Sequence, residues 1–345
     1  MGALLLLVLG YVLYMFLSYT RIPDRQELTV QGYWQEPKAE AGRRYRVVTQ
    51  NIGFGAYVQD YTFFMDGGKE SWARSPESVT ETVGKAAATV MGLEPDFVLL
   101  QEVDIDSTRS YHINEQTILD GVFGNWQSAA AVNYHSSFRM YPLTQPHGSS
   151  NSELLTYSRM RIESSLRRSL PIAGGFSKFL DLDRCYSVSR IPVDNGKELV
   201  LYNVHLSAYG SSDAIRTAQM TMLFEDMQAE YEKGNYCVCG GDFNHDFTGN
   251  STQVLNGGEM TEYGWAQPFP EELLPEGIRR CTDYEGDELQ PTCRNCDEPY
   301  KEGNFTIIVD GFLVSDNVTV SRTENVQTGF EYSDHNPVAL DFILN

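Results

Sequence analysis

The sequence predicts a mixed α/β fold (α+β) in which two packed β-sheets are covered by helices. Strand and helix signals alternate from Arg44 to Asn345, without a low-complexity break, a long charge run or an internal repeat. The chain has 345 residues, of which 41% are hydrophobic, and this suits one large globular domain or two small ones. Because no break divides it, we predict one domain over residues 44–345.

The N-terminus carries an uncharged apolar run from Gly2 to Tyr19, GALLLLVLGYVLYMFLSY. A helix of this length would just cross about 27 Å of hydrocarbon. No basic segment precedes the run and no small-x-small cleavage site follows it, which favours a transmembrane anchor over residues 1–20 rather than a cleaved signal peptide. Residues 21–43 are polar, contain Pro23 and Pro37, and predict a tether.

The expected location is therefore the cell membrane, single-pass, with the domain on the extracellular side. The basic residues after the run would favour the cytoplasmic side, but that rule weakens for large domains. The formal net charge of −21 argues against a protein that grips long nucleic-acid duplexes through many phosphate contacts. It does not exclude nucleic acid as a substrate, and no obligate protein partner is predicted.

The predicted elements follow in chain order. Ser75 is the expected N-cap of a helix that has Pro76 at its first position and runs to Met91. Further helices are expected over residues 113–122 and 212–233, and residues 250–303 are rich in loops. Strands are expected over residues 45–49, 97–100, 126–134, 153–158, 186–193, 198–204, 236–239, 306–314, 318–322 and 338–343.

Five short polar fragments lie at the ends of these strands or directly before the last one. They are Gln50-Asn51, Gln101-Glu102, Asn203-Val204-His205, Gly241-Asp242-Phe243-Asn244 and Ser333-Asp334-His335-Asn336. Together they place amides, carboxylates and imidazoles at strand ends, where sheet proteins build active sites. These residue types can hold a metal ion and a phosphate.

Glu102 ends the apolar run FVLLQE and offers a hard carboxylate for Mg²⁺ or Mn²⁺. The alternative is a strand that simply ends in solvent, which would show the same sequence pattern. Asp242 and Asn244 are two residues apart, so in an extended chain they share a face and could orient a water and bind a phosphoryl oxygen. An ordinary Asp/Asn turn is the alternative at that position.

His335 cannot pair with the adjacent Asp334, because neighbouring side chains point to opposite sides. Asp310, at the end of an apolar run, is the expected partner that fixes its tautomer. His205 alone would more often be a core residue, but Asn203 shares its face and favours a site.

The sequence does not indicate covalent catalysis. It has no G-x-S-x-G elbow and no phosphate-binding P-loop, and none of its cysteines is adjacent to a histidine. The Cys293-x-x-Cys296 pair, with only Cys281 nearby, falls short of a zinc site. Free thiols are favoured over a disulfide from Cys281 to Cys293 or Cys296. A metal-activated water is the indicated nucleophile.

The segments QNIGFG, LLQEVD, YNVHLSAYG, GGDFNHD, IIVDGFLVS and YSDHNPVAL occur in that order. In this order they resemble the endonuclease/exonuclease/phosphatase superfamily over residues 44–345, and the chain is similar to membrane-anchored bacterial members of it. The resemblance implies a four-layered, DNase I-like sandwich with its site at one edge. It also implies a Mg²⁺ (or Mn²⁺) cofactor.

Carried over to this sequence, the resemblance implies a metal site and a phosphate site. Glu102 would be the principal metal ligand, assisted by Asn51 and Asp334. Asp242 would orient the attacking water or contact a second metal ion, and Asn244 would bind the phosphate.

The same resemblance implies roles for the remaining residues. Asp310 would orient His335, which would act as a base or stabilise the transition state. His205 would be the general acid.

The expected function is hydrolysis of a phosphoric mono- or diester, as a phosphodiesterase or phosphatase. The substrate could be a lipid headgroup, an inositol phosphate or nucleic acid. A surface or extracellular nuclease acting on DNA, and a non-catalytic phosphate-binding module on the same fold, are the alternatives.

Overall fold

The computed structural model describes residues 2–174, 178, 183–208, 212–257, 266–284, 286 and 289–345. Its helices are α1 (Gly2–Ser18), α2 (Pro76–Gly92), α3 (Glu115–Phe123), α4 (Asp213–Glu232) and α5 (Ser251–Leu255). Its strands are β1 (Gln26–Leu28), β2 (Val30–Gln31), β3 (Arg44–Asn51), β4 (Phe97–Asp104), β5 (Gln127–Arg139), β6 (Gly148–Ser158), β7 (Ser164–Ser169), β8 (Cys185–Pro192), β9 (Glu198–His205), β10 (Tyr236–Asp242), β11 (Ile278–Arg280), β12 (Cys293–Arg294), β13 (Thr306–Ile307), β14 (Asp310–Ser315), β15 (Val318–Asn325) and β16 (Val338–Leu344).

The strands form two seven-stranded mixed sheets and a short β12–β13 pair. The first sheet has the order β15-β16-β3-β4-β6-β5-β2, and the second has the order β1-β7-β8-β9-β10-β14-β11. Both faces of each sheet are buried, and successive side chains along a strand point to opposite faces. Val47 points into the core between the sheets, whereas Val48 packs beneath the helices on the outer face.

Helices cover the outer face of each sheet. The apolar side of α2 and α3, including Val83 and Leu119, packs on the first sheet. Leu223 and Met227 of α4 pack on the second. The result is the predicted four-layered α/β sandwich, with helix, sheet, sheet and helix in succession.

The sheet topology brings polar strand ends to one edge. β3 and β4 are parallel neighbours, with Asn51 opposite Gln101, and β9 and β10 are parallel neighbours, with His205 opposite Asp242. Because the carboxyl ends of parallel neighbours meet at the same edge, the polar fragments that follow these strands converge.

The predicted single-pass location at the cell membrane, with the domain outside, is wrong. In the described part of the chain, no helix is both long enough and apolar enough to cross a membrane. α1 has 17 residues, which at 1.5 Å per residue reach about 25 Å, short of the ~30 Å of a typical hydrocarbon core. Its Tyr11 and Tyr14 hydroxyls instead hydrogen-bond to the backbone of Phe138 at the end of β5.

Other elements differ from the prediction in detail. Part of the segment predicted as a tether joins the sheets, because β1 pairs with β7 and β2 with β5. The strand predicted over residues 306–314 divides into β13 and β14, since the carbonyls of Ile308 and Val309 accept from Phe247 and Phe243. Met1, and Tyr209 and Gly210 of the YNVHLSAYG segment, lie outside the described residues.

Candidate active site

Glu102 enters the site through an irregularity in β4. The register with β6 shifts between Leu100 and Val103, and Glu102 adopts a left-handed backbone with φ of 56°. A non-glycine residue in this region is uncommon and is maintained only where the surrounding structure requires it. The shift interrupts the strand alternation at this residue, whose half-buried carboxylate lines the cavity.

Asn51 links the carboxylates of the two sheets. Its Nδ2 donates to Glu102 Oε1 at 3.2 Å and to Asp242 Oδ2 at 3.1 Å. Its Oδ1 accepts from the backbone N–H of Gly53 at 3.0 Å, which fixes the amide orientation. The ends of β3, β4 and β10 are therefore joined by one side chain.

Asp310 and His335 form the contact expected from the sequence. His335 Nδ1 lies 2.8 Å from Asp310 Oδ2, and both side chains are buried. The opposite nitrogen, Nε2, faces Asp242 at 3.9 Å from its Oδ2. Asp310 Oδ1 is buried without a hydrogen-bond partner in the described part of the protein, so this carboxylate retains capacity for a further ligand.

His205 reaches the same carboxylate from the other side. Its Nε2 lies 3.4 Å from Asp242 Oδ2, and its buried Nδ1 has no hydrogen-bond partner among the described residues. Asn203, two residues earlier, does not face the cavity. It accepts a 2.8 Å hydrogen bond from Gln101 and bridges the two sheets in the core.

Asn244 closes the turn after β10. Its backbone has a φ of 51°, its N–H donates to Asp242 Oδ1 at 2.9 Å, and its side-chain Nδ2 donates to the carbonyl of Leu206 at 2.8 Å. The Asp/Asn turn that the sequence offered as the alternative to a functional site is thus present. It coexists with an amide that lines the cavity, because the Nδ2 group has a second N–H to offer.

Asp334 lies on the segment that precedes β16. Its Oδ1 accepts from the hydroxyl of Ser333 at 3.3 Å, and its Oδ2 lies 3.9 Å from Cys296 Sγ. These are weak contacts for a carboxylate that is largely withdrawn from solvent. All six cysteines are free thiols.

The two histidines have opposite electrostatic environments. Burial alone would lower the pKa of His335, but the charges of Asp310 and Asp334 outweigh burial and raise that pKa well above its usual value. Burial, reinforced by Arg184 and His335, lowers the pKa of His205 well below its usual value. The structure thus favours the charged form of His335 and the neutral form of His205.

Burial also acts on the carboxylates. It raises the pKa of Asp242 to about 7 and raises the pKa of Asp334, in each case against the opposing effect of His335. A cation placed beside these groups would restore their charged forms.

One cavity of about 320 Å³ unites the site. Of the predicted residues, its lining includes Glu102, His205, Asp242, Asn244, Asp334 and His335. The other two predicted residues, Asn51 and Asp310, contact this lining through the hydrogen bonds given above.

The cavity wall also contains arginines that sequence reasoning missed. Arg109 pairs with Asp104 through two 2.9 Å contacts and lies 3.5 Å from Glu102 Oε2, while its guanidinium stacks 3.8 Å from the centre of the Phe54 ring. The one available signal was the spacing of Arg109 five and seven residues after two acids at a strand end.

The donors around the cavity fit a divalent cation. Of the residues predicted to hold the metal, Glu102, Asp242 and Asp334 offer carboxylate oxygens of the type that Mg²⁺ and Mn²⁺ prefer. The fourth, Asn51, turns its Nδ2 to the carboxylates and its Oδ1 to the N–H of Gly53, so it orients Glu102 and Asp242. Within the described chain, one ligand atom from each of Asp242, Asp310 and His335 also lies within 4.8 Å of the others. The two groupings share Asp242, and Asp310, whose Oδ1 has no hydrogen-bond partner among the described residues, belongs to the second.

The sequence model of the Endonuclease/Exonuclease/phosphatase family matches residues 48–335. The chain belongs to this family. No curated protein sequence matches it. Membership of this family, together with the cavity, supports a phosphoester hydrolase.

Solved structures share the fold at low sequence identity. An endonuclease/exonuclease/phosphatase from Beutenbergia cavernae is 16% identical, with a TM-score of 0.61, and the match covers 88% of this chain and 72% of that one. A family protein from Leptotrichia buccalis is 14% identical, with a TM-score of 0.56 and coverage of 86% and 99%. ANGEL2, a 2′,3′-cyclic phosphatase solved with adenosine-2′,3′-vanadate, is 14% identical, with a TM-score of 0.56 and coverage of 92% and 99%. These likenesses show the fold.

Proposed function

We propose that the protein is a Mg²⁺- or Mn²⁺-dependent hydrolase that cleaves a phosphoester by attack of water. The observation that carries the proposal is the continuous series of contacts Glu102–Asn51–Asp242–His335–Asp310, which joins both sheets at one cavity. Buried carboxylates and imidazoles that converge on one cavity are typical of a site that binds a ligand.

The cation would be held by Glu102 and Asp334, with Asp242 beside it and with Asn51 orienting the Glu102 and Asp242 carboxylates. When bound, it would supply a Lewis acid that offsets the charge developing on the phosphoryl oxygens. Every other task falls to side chains of this chain.

Asp242 aligns the water. Its Oδ1 is fixed by the N–H of Asn244, and its Oδ2, which accepts from Asn51, has a second lone pair for a hydrogen bond from a water in the cavity. Asn244 offers its second side-chain N–H to a phosphoryl oxygen. This arrangement fixes the nucleophile relative to phosphorus, and such positioning is a large part of hydrolytic catalysis.

His335 stabilises the charge of the transition state. Asp310 keeps a proton on Nδ1, and the raised pKa of the ring keeps a second proton on Nε2, which faces the cavity. A charged donor in a site shielded from water is worth several kcal/mol of barrier, in the range of about 3–4 kcal/mol for one oxyanion contact.

His205 protonates the leaving oxygen. Its low pKa in the free protein means that it carries this proton only after an anionic substrate has entered and raised the pKa. Proton transfer by a positioned side chain typically contributes about 10²–10⁴-fold to the rate.

The direct test is hydrolysis of bis-p-nitrophenyl phosphate with Mg²⁺ by the wild type, Glu102→Gln and His335→Ala. We expect both variants to lose at least about 10³-fold in kcat/KM while remaining folded, as circular dichroism measures. Glu163→Gln and His112→Ala are matched controls, since both side chains are more than half exposed and lie outside the cavity. Wild-type rates in Glu102→Gln and His335→Ala would refute the proposal.

A second panel separates the substrates. Plasmid DNA, sphingomyelin, inositol phosphates and adenosine 2′,3′-cyclic phosphate, each incubated with the protein and Mg²⁺, distinguish a nuclease, a lipid phosphodiesterase, an inositol phosphatase and a cyclic-nucleotide hydrolase. A non-catalytic binding module would bind Mg²⁺ and turn over none of them. The presence of the complete polar set argues against that module.

A further inference from the structure

The wall of the cavity formed by β5, β6 and the start of β8 has features that the proposed reaction does not use. Among the described residues, the cavity lining includes Arg109, Arg139, Arg184 and Arg294. The chain as a whole carries a net charge of −21. A local group of guanidinium groups in so acidic a chain indicates a surface built for an anion.

Arg184 differs from the other arginines in its pairing. Arg109 is neutralised by Asp104, whereas the Arg184 guanidinium has no hydrogen-bond or ion-pair partner in the part of the chain that the structure describes. The adjacent Asp183 does not serve it, since its carboxylate contacts Arg21 at 3.0 Å. This half-buried guanidinium lines the cavity without a counter-charge from the described residues, so it can pair with an anion that enters.

Tyr134 holds Arg184 together with two other arginines. The guanidinium carbons of Arg109, Arg139 and Arg184 lie 5.4, 5.3 and 6.0 Å from the centre of the Tyr134 ring. The Tyr134 hydroxyl accepts from Arg139 at 2.6 Å. Aromatic faces attract guanidinium groups, so the ring keeps positive charges together that would otherwise repel each other.

Ser152 is an independent sign of a ligand on the same wall. It lies opposite Tyr134 in the β5–β6 pair, and its side chain is buried and lines the cavity. Its Oγ has no hydrogen-bond partner among the described residues. A buried hydroxyl without a partner is rare in folded proteins, and a phosphate oxygen would satisfy it.

The strand register places this wall beside the reacting centre. β8 begins one residue after Arg184 and pairs with β9, whose last residue is His205. The side chain of Asn133, which lies at a register shift in β5, accepts from the N–H of Cys185 at 2.8 Å and so fixes the start of β8 against β5.

We propose that Arg184, Ser152 and Asn133 form a second anion subsite, and that the substrate is a small phosphoester carrying a second phosphate group. The inference rests on the proposed hydrolase function and extends it to the substrate class. The cavity of about 320 Å³ lies within the size range of small-molecule sites. A second phosphate group could pair with the Arg184 guanidinium and accept a hydrogen bond from the Ser152 hydroxyl at the same time.

The test uses two matched pairs of esters. The first pair is the p-nitrophenyl ester of thymidine 5′-phosphate with and without a 3′-phosphate. The second is inositol 1-phosphate and inositol 1,4-bisphosphate. Within each pair only the second phosphate differs, so the ratio of kcat/KM values isolates the subsite, and the two pairs distinguish a nucleotide from a polyol.

We expect the wild type to prefer the bisphosphorylated member of at least one pair by about tenfold or more, the scale of one charge-assisted contact. Arg184→Gln should bring this ratio close to one, and Ser152→Ala should reduce it in part. Arg161→Gln is the matched control, because Arg161 is paired with Glu163 and lies outside the cavity. The control should keep the wild-type ratio.

Calorimetric binding of thymidine 3′,5′-bisphosphate and thymidine 5′-phosphate to the wild type and to Arg184→Gln, with EDTA in place of Mg²⁺ to prevent turnover, tests the same point. A wild-type ratio near one in both pairs, or an unchanged ratio in Arg184→Gln, overturns the subsite while leaving the hydrolase proposal intact. Failure of the wild type to hydrolyse any of these esters or bis-p-nitrophenyl phosphate overturns the hydrolase proposal itself.

Discussion

Two buried carboxylates near opposite ends of β10 have pKa values that are shifted in opposite directions. Near the start of the strand, Glu230 of α4 accepts hydrogen bonds from Arg190 at 2.6 Å, Lys233 at 2.8 Å and Asn235 at 2.8 Å. Burial raises the pKa of Glu230, but these partners outweigh burial and lower that pKa to about 2. At the other end, burial dominates and raises the pKa of Asp242 to about 7.

The difference shows which charges serve the fold and which await a ligand. The Glu230 end is balanced by cations of the chain itself. The Asp242 end brings Asp310 and Asp334 into the same region, and among the described residues Asp242 and Asp310 pair with histidines and not with a lysine or an arginine. A fold that keeps such an arrangement sacrifices some stability, and the usual reason is function.

The largest expected effect is a difference in hydrolytic activity between a variant at the Asp242 end and a variant at the Glu230 end. Asp310→Asn removes the charge that holds the proton on His335, so we expect kcat/KM for bis-p-nitrophenyl phosphate to fall by about 10²–10³-fold. Glu230→Gln, at the other end of the strand, should retain the wild-type value. Equal losses in the two variants, or none in Asp310→Asn, would erase the contrast.

For the free energy of unfolding, we expect the larger loss at the Glu230 end. Glu230→Gln leaves Lys233 without its counter-charge and Arg190 with Glu198 as its remaining one, and we expect the free energy of unfolding to fall by about 2 kcal/mol. Urea titration measures this loss, with the exposed Glu163→Gln as a control that should stay within about 0.5 kcal/mol of the wild type. A Glu230→Gln protein as stable as the wild type would show that this end contributes no net stabilisation.

Asp242→Asn should leave the metal-free protein as stable as the wild type or more stable, by up to about 1 kcal/mol at neutral pH. The substitution removes a buried charge that the protein does not balance. Urea titration in the presence of EDTA gives the comparison. A loss above about 2 kcal/mol would mean that Asp242 is held by internal contacts in the way Glu230 is.

The smallest effect is a difference in pH dependence. The folded pKa of Glu230 is lowered, so its stabilisation is present above its unfolded value near 4.5 and is lost as pH falls toward about 2. The folded pKa of Asp242 is raised, so its contribution is present below about 3.8 and is lost as pH rises through about 7.

Unfolding of the wild type and the two variants at pH 3.5, 5 and 7 measures both trends. The gap between the wild type and Glu230→Gln should narrow toward acid. The gap between the wild type and Asp242→Asn should open toward neutral pH. A gap that stays constant for either variant would contradict the assignment of that residue.

The sequence predicted the layers and most of the strand ends of the site, because both depend on local patterns. Alternating apolar residues identify a half-buried strand, and a polar residue that ends such a run is visible in the sequence alone. The contact between Asp310 and His335 followed from the same reasoning, since an acid at the end of a buried strand needs a partner.

The proposed anion subsite could not be predicted from the sequence, because its residues come together only through long-range strand pairing. Ser152 and Arg184 stand in unremarkable sequence and acquire meaning only when β6 and β8 are placed beside the cavity. The short strands β1 and β2 escaped notice for the same reason, as a few polar residues carry no periodicity. The membrane location was wrong because the apolar run forms a helix of 17 residues, shorter than the run itself, and its length was already at the lower limit for crossing a bilayer.

The most direct measurement of the central claim is calorimetric titration of Mg²⁺ into the wild type, Glu102→Gln and Glu230→Gln. If the cavity carboxylates are unbalanced because they hold a cation, Glu102→Gln should bind Mg²⁺ at least about tenfold more weakly, while Glu230→Gln should match the wild type. Equal affinity in all three proteins, or no binding by the wild type, would contradict it.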